Sequence, residues 1–259
     1  MTRTNFQELL ESGVHFGHLK KKWNPAMHPY VFMEKNGIHI IDLNKTIALL
    51  DEACAAMKQI TKSGRNILFV ATKKQAKSII EEHAKSINMP YITERWPGGL
   101  LTNFSTIRKS IKKMERIDKM TEDGTLDTLS KRERLQISRT RGKLEKNLGS
   151  IVNMNRMPSA IFIVDINKEH IAVSEALKLG IPTFGMVDTN SDPNLIKYPI
   201  PSNDDSTKSI KKIIETVTLA VKEGLSERKE INAKNQSDKS NNDNQVKKDQ
   251  NKEVESVKK

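Results

Sequence analysis

Cations sit beside tryptophan at two places in this chain, and that pairing is suited to holding phosphate while stacking on a base or sugar. The first is His18-Leu19-Lys20-Lys21-Lys22-Trp23-Asn24-Pro25-Ala26-Met27, three lysines against a tryptophan and an asparagine in a loop. The second is Arg95-Trp96-Pro97-Gly98-Gly99-Leu100-Leu101-Thr102-Asn103, followed by Arg108, Lys109, Lys112 and Lys113. Its glycine pair precedes a helical pattern, so it offers either a tight turn or an anion-binding nest at a helix N-terminus. A third basic stretch has no tryptophan. Residues 108–146 hold thirteen Lys and Arg against seven Asp and Glu. Arg132, Arg134, Arg139, Arg141, Lys143 and Lys146 crowd its second half, and the nearby acids Glu133 and Glu145 are too few to neutralise them by i,i+4 pairing. A helix so charged is expected to lie along a phosphate backbone.

The whole chain agrees with a polyanionic partner. Its 259 residues carry 44 Lys and Arg against 32 Asp and Glu, a net charge of +12. Charge alone leaves RNA, DNA and an anionic membrane surface open. No run approaches the ~18 apolar residues of a membrane span, and the N-terminus has no apolar signal region, so a cytoplasmic protein is expected.

Enzyme chemistry finds little support. No G-x-G-x-x-G, P-loop or G-x-S-x-G pattern occurs. The first clear strand-to-helix turn reads Ala71-Thr72-Lys73-Lys74-Gln75, without the glycine that lets a pyrophosphate approach the backbone. The lone Cys54 lies in an apolar stretch, which points to packing. His15-Phe16-Gly17-His18 and the aspartates 165, 188, 192, 204 and 205 invite a metal reading. His18, Asp188 and Asp204 or Asp205 have the right ligand types. Capping aspartates and hydrogen-bonded histidines are the competing account, and the spacing matches no metal motif. The expectation is no catalytic site, no cofactor and no small-molecule substrate, with a structural ion at His18, Asp188 and Asp204 left open.

These groups need a scaffold. Asn66–Ala71, Ala160–Asp165 and Thr183–Asp188 are continuous apolar runs that suit strands buried on both faces, and Pro90–Thr93 is a weaker fourth. Helical spacing appears over 44–61, 72–88, 167–179 and 206–225, the third carrying Ile171, Ala172, Glu175, Ala176 and Leu179. Strands alternating with helices predict a three-layer, doubly wound α/β fold with a mostly parallel sheet, Rossmann-like or flavodoxin-like. From 103 to 157 no strand intervenes. Ile107, Ile111, Met114 and Ile117 form one thin apolar stripe, and Leu135, Leu144, Leu148, Ile151 and Val152 a second. Ser130-x-x-Glu133 is a capping box. An inserted helical hairpin, largely projecting from the domain, is expected. Residues 226–259 lack aromatic residues and are mostly Lys, Asn, Asp, Glu, Gln and Ser, the composition of a disordered tail. They add only +2, nine basic minus seven acidic residues, so the basicity belongs to a domain over 1–225.

Several motifs together resemble one family. Gly13-Val14-His15-Phe16-Gly17-His18, Trp23-Asn24-Pro25-x-Met27, Phe69-Val70-x-Thr72-Lys73-Lys74-Gln75-Ala76, Arg95 to Asn103, Val187-Asp188-Thr189-Asn190-x-Asp192-Pro193 and Tyr198-Pro199-Ile200-Pro201-x-Asn203-Asp204-Asp205 look like the bacterial small-ribosomal-subunit protein two family. The motifs run in family order over residues 5–225. The resemblance implies a three-layer α/β domain with a protruding coiled-coil hairpin, and no catalysis. It also implies binding to small-subunit ribosomal RNA near the head–body junction and help in docking the large mRNA-binding ribosomal protein one. Carried onto this chain, it nominates Lys20, Lys22, Trp23, Asn24, Arg95, Trp96, Gly98, Gly99 and Asn103 as RNA-facing.

Overall fold

The structure, a computed structural model, describes residues 3–256, with side chains described to residue 233 apart from Asp127. The chain opens with α1 (Phe6–Glu11) and β1 (Phe16–Leu19), then two 3₁₀ turns over Lys20–Lys22 and Pro25–Tyr30. β2 (Val31–Lys35) and β3 (Ile38–Ile41) follow, joined through Asn36 and Gly37 with φ of 53° and 74°. Two consecutive positive φ values make a tight hairpin turn, and Asn-Gly adopts them at the least cost. β1, β3 and β2 form a small antiparallel sheet in that order. No apolar run announces it, because its strands are short and β2 is mostly exposed. The Asn-Gly pair is the legible sign.

The remaining elements build the main body: α2 (Leu43–Lys62), β4 (Ile67–Val70), α3 (Lys74–Ser86), β5 (Tyr91–Ile92), α4 (Phe104–Glu122), α5 (Lys131–Leu148), β6 (Ala160–Val164), α6 (His170–Lys178), β7 (Thr183–Val187), β8 (Tyr198–Pro201) and α7 (Thr207–Ser256). The large sheet runs β5-β4-β6-β7-β8, every neighbouring pair parallel. Counting only these strands, the order is 2-1-3-4-5, a doubly wound arrangement. Alternate side chains serve opposite faces. Phe69, Phe162, Phe184 and Met186 join a core with α2, α3 and α7. Leu68, Val70, Ile161 and Ile163 join another with α6, Trp96, Leu100, Ile111 and Leu148. Burial on both faces is why these strands read as unbroken apolar runs. β8 escapes that reading because it holds Pro199 and Pro201. It pairs only with β7, and an edge tolerates residues without an N–H. On one flank α7 crosses α2 closely: a Cβ added at Gly224 would stand 2.6 Å from the Lys58 carbonyl oxygen.

Three expectations shift. On α6, Ile171 and Leu179 are 45% and 41% exposed, while Val173 and Glu175 are buried. The helix starts at His170, after a turn at 167–169, so its inward stripe is rotated from the one read by spacing. On α5, Leu135 is 52% exposed and the apolar packing begins nearer Leu144. Finally, α7 continues past Leu225. Glu227 pairs with Lys58 (2.7 Å) and Lys62 (3.0 Å), and Arg228 lies over Gly64, so ion pairs carry the packing beyond the last apolar contact. The helix backbone is traced to Ser256. Side chains beyond 233 and residues 257–259 lie outside the described residues.

Candidate nucleic-acid interface

In a 2-1-3-4-5 sheet the ligand crevice opens where strand order reverses, here between β4 and β6. The chain fills this crevice itself. Lys73, just after β4, places Nζ 2.7 Å from Asp204, 2.6 Å from Asp205 and 3.4 Å from Asp165. Thr72 donates its N–H (3.0 Å) and its hydroxyl to Glu169. Asp165 is held at φ 64°, a left-handed strain typical of the end of a functional strand. Burial and the neighbouring Asp188 and Asp165 push the Asp204 carboxyl up to about 7. Burial works against the charge on Lys73, but Asp204 and Asp205 outweigh it and hold the ammonium above its ordinary value.

His18 reaches the same cluster. Its Nδ1 stands 3.1 Å from Asp188 and its Nε2 3.4 Å from Asp205, and the Asp188 hydrogen bond raises its pKa. His18, Asp188 and Asp204 each bring one ligand atom within 4.8 Å of the others, the trio at which the sequence left an ion open. Asp204 Oδ2 is buried without a hydrogen-bond partner. Oxygen and nitrogen donors at this spacing fit a small divalent cation. Any such ion would share Asp204 with the ammonium of Lys73.

The glycine turn holds an anion, and that anion is part of the chain. Glu175 on α6 accepts from Trp96 Nε1 (3.1 Å), Gly99 N (2.8 Å), Leu101 N (3.0 Å), Thr102 N (3.1 Å) and Thr102 Oγ1 (3.2 Å). Burial opposes ionisation, yet Trp96 and the three N–H groups together hold the carboxyl below its usual range. Gly99 takes φ 83° to aim its N–H inward. Trp96 is therefore a core residue, 6% exposed, and not a free stacking surface. A glutamate on the inward stripe of the 167–179 helix is the sequence sign that some buried donor set awaits it. Asn103 stands at the N-cap of α4 without a side-chain capping bond, its Oδ1 accepting instead from Thr106 Oγ1 at 2.8 Å. Arg108 is turned to structure as well, donating to the Val152 and Met154 carbonyls and to Asn155. Arg95 and Gly98 remain exposed.

In the N-terminal loop Lys20, Lys21 and Lys22 are exposed, Lys20 pairing with Glu34 at 2.8 Å. Trp23 is half-buried, its ring stacked on His39 with centroids 5.2 Å apart. Asn24 is fixed at the start of the next turn, its N–H bonded to the Thr189 carbonyl and its Oδ1 to Ala26 N. These bonds tie the loop to β7's outgoing segment beside the aspartate cluster.

α4 and α5 lie side by side between β5 and β6. Ile111, Met114, Ile117 and Leu148 are buried along their length or at their base. Arg141 clamps them, its Nε 2.7 Å from Asp118 on α4 and its Nη1 2.6 Å from Glu145. Arg134 also has an electrostatic or hydrogen-bonding partner within the chain. Lys109, Lys112, Arg132, Arg139 and Lys143 are exposed and carry no ion pair among the described residues. Arg132, Arg139 and Lys143 sit seven and four residues apart, a single face of α5.

Comparison with known proteins finds relatives over most of the chain. A family model described as ribosomal protein S2 matches residues 9–224. A Parabacteroides distasonis protein named small ribosomal subunit protein uS2 is 66% identical over 229 residues, 88% of this chain and 82% of that one. Its counterpart of the same name in Porphyromonas gingivalis is 67% identical over the same shares. One from Flavobacterium johnsoniae is 65% identical over 230 residues, 88% of this chain and 91% of that one.

Proposed function

The chain belongs to the ribosomal protein S2 family and is a structural constituent of the small ribosomal subunit, not an enzyme, and from that premise we propose how it holds its RNA. Its place is the ribosome, in the cytoplasm. The α/β body over residues 1–225 acts as a rigid platform, and 103–157 as a protruding coiled-coil hairpin inserted in it. Cations of α4 and α5, chiefly Lys109, Lys112, Arg132, Arg139 and Lys143, take phosphates of small-subunit ribosomal RNA. Lys21, Lys22 and Arg95 take others, and Trp23 with Asn24 fixes register against a base or sugar. The contact lies near the head–body junction, where the body also helps dock ribosomal protein one. An ion at His18, Asp188 and Asp204 would serve structure, joining the N-terminal sheet to the strand ends.

The observation that carries this reading is the contrast in charge. In the body, Lys73 meets Asp204 and Asp205 and backbone N–H groups meet Glu175, while Lys109, Lys112, Arg132, Arg139 and Lys143 of α4 and α5 have no ion pair among the described residues. Sucrose-gradient sedimentation of a cell lysate tests it. The protein should travel with small subunits and whole ribosomes at low salt and be stripped at high salt. Its remaining at the top at both salts would refute the reading.

A further inference from the structure

The crevice at the reversal of strand order is filled by Lys73, but its neighbour is open. Past the carboxyl ends of β6 and β7, their outgoing segments, α6 and Asn24 enclose a cavity of about 210 Å³. Ligands of α/β sheets gather at this end of the strands. The walls are apolar: Ile166 after β6, Val173 and Leu177 one turn apart on α6, and Leu195. Leu177 and Leu195 are 50% and 45% exposed, so part of this apolar surface is uncovered. The polar groups of the lining are only partly used by the chain. Asn24 accepts the Ala26 N–H at its Oδ1, which leaves the N–H groups of its Nδ2 without a partner among the described residues. Asn190 accepts from Ser191 Oγ at 2.8 Å and keeps its own amide N–H groups in the same state. Asp192 accepts from Asn194 N at Oδ1, while its Oδ2 meets no donor or cation among the described residues. In a chain of net charge +12, this carboxylate stays unpaired.

We propose that this cavity seats one unpaired guanine base of an RNA strand. The inference rests on the ribosomal reading and deepens it, from contact with phosphates to recognition of a single base. Size, walls and polar groups together select that occupant. The volume lies below the roughly 300–1,000 Å³ of sites for drug-sized ligands, so it takes a ring system and leaves ribose and phosphate outside. Apolar walls suit the faces of a flat ring drawn out of a loop or bulge. The polar groups are one carboxylate and two amides. Guanine presents adjacent donors, N1–H and the N2 amino group, to a carboxylate, and its O6 and N7 accept from amide N–H groups. Adenine would turn its N1 lone pair towards Asp192, and cytosine and uracil each offer a single donor group there. Outside the cavity, Lys21 and Lys22 are exposed next to Trp23 and Asn24, where they can meet the phosphates flanking the base.

Fluorescence anisotropy with the full chain tests it. The probes are dye-labelled five-nucleotide RNAs of uridine that carry guanosine, adenosine or cytidine at the centre. The guanosine RNA should bind at least about tenfold tighter than the other two. Asp192→Asn keeps an oxygen for the Asn194 N–H and should erase that preference, weakening the guanosine RNA alone by about tenfold. Ser174→Phe, which adds a ring to the lining from an exposed position of α6, should erase it with Asp192 intact. Unlabelled GMP, lacking the flanking phosphates, should compete at least about tenfold less well than the unlabelled guanosine RNA. Equal affinity for the three RNAs, or a preference that survives both variants, would overturn the proposal; the ribosomal reading would stand if small-subunit ribosomal RNA were still bound. Competition by GMP as strong as by the RNA would also overturn it, making the cavity a site for a free guanine nucleotide. A guanosine preference in a chain that fails to bind small-subunit ribosomal RNA would support the seat and count against the ribosomal reading alone.

Discussion

The crevice between β4 and β6 and the pair α4–α5 both gather charge, and they resolve it in opposite ways. In the crevice, Lys73 answers Asp165, Asp204 and Asp205, and Glu169 answers Thr72. A few residues away, Glu175 fills the nest of the Gly98-Gly99 turn. Both are places where α/β folds commonly bind phosphates or nucleotides. Here the chain is its own ligand. On α4 and α5, Arg141 is spent on Asp118 and Glu145, Arg108 on the Val152 and Met154 carbonyls and Asn155, and Arg134 has a partner within the chain, while Lys109, Lys112, Arg132, Arg139 and Lys143 are exposed with no ion pair among the described residues. Charge satisfied within a chain stabilises the fold, and charge left over is available to a partner.

Glu175→Ala gives the sharpest break on the satisfied side. It leaves three backbone N–H groups and Trp96 Nε1 without their acceptor and should cost on the order of 3–5 kcal/mol in chemical denaturation. The carboxyl's native pKa is lowered, so its contribution is present above the ordinary glutamate value and is lost as pH falls through the native one. Acid unfolding of the wild type should therefore be steeper than that of Glu175→Gln.

Lys73→Met comes next, at about 2 kcal/mol, tempered because Asp205 is exposed to solvent. Asp204 gives the opposite pH sign from Glu175. Its native value, about 7, lies above the ordinary 3.8. The fold binds that proton more tightly, so stability from this group is present below the ordinary value and lost as pH rises to about 7. Between pH 5 and 8, wild-type stability should fall relative to Asp204→Asn. A parallel course of the two proteins would contradict the placement of Asp204 among Asp188 and Asp165.

Trp23→Leu should act least on the fold, by about 1 kcal/mol for the lost stack on His39. It should nonetheless weaken RNA binding, by about 1–3 kcal/mol if the ring also carries a base. Loss of stability without loss of RNA affinity would turn Trp23 into a core residue like Trp96.

The same comparison explains what the sequence disclosed. The buried strands were legible because two covered faces leave only apolar positions at Leu68 to Val70 and Ile161 to Val164. The antiparallel sheet was hidden because β2 is almost wholly exposed, and only Asn36-Gly37 marked it. Basic residues of the helices could be listed, but Arg108 and Arg141 could not be told from Arg132 and Arg139. Their partners, the Val152 carbonyl and Asp118, are 44 and 23 residues away in sequence. Glu175 shows the same limit from the acidic side, since its five donors come from residues 96–102.

The most direct test of the central claim is the salt dependence of small-subunit ribosomal RNA binding by Arg132→Glu with Arg139→Glu and Lys143→Glu. If these cations meet phosphates, the slope of log affinity against log salt should fall by about 2–3, with the thermal midpoint unmoved. An unchanged slope would contradict the account, and RNA would then have to be held somewhere other than this face of α5.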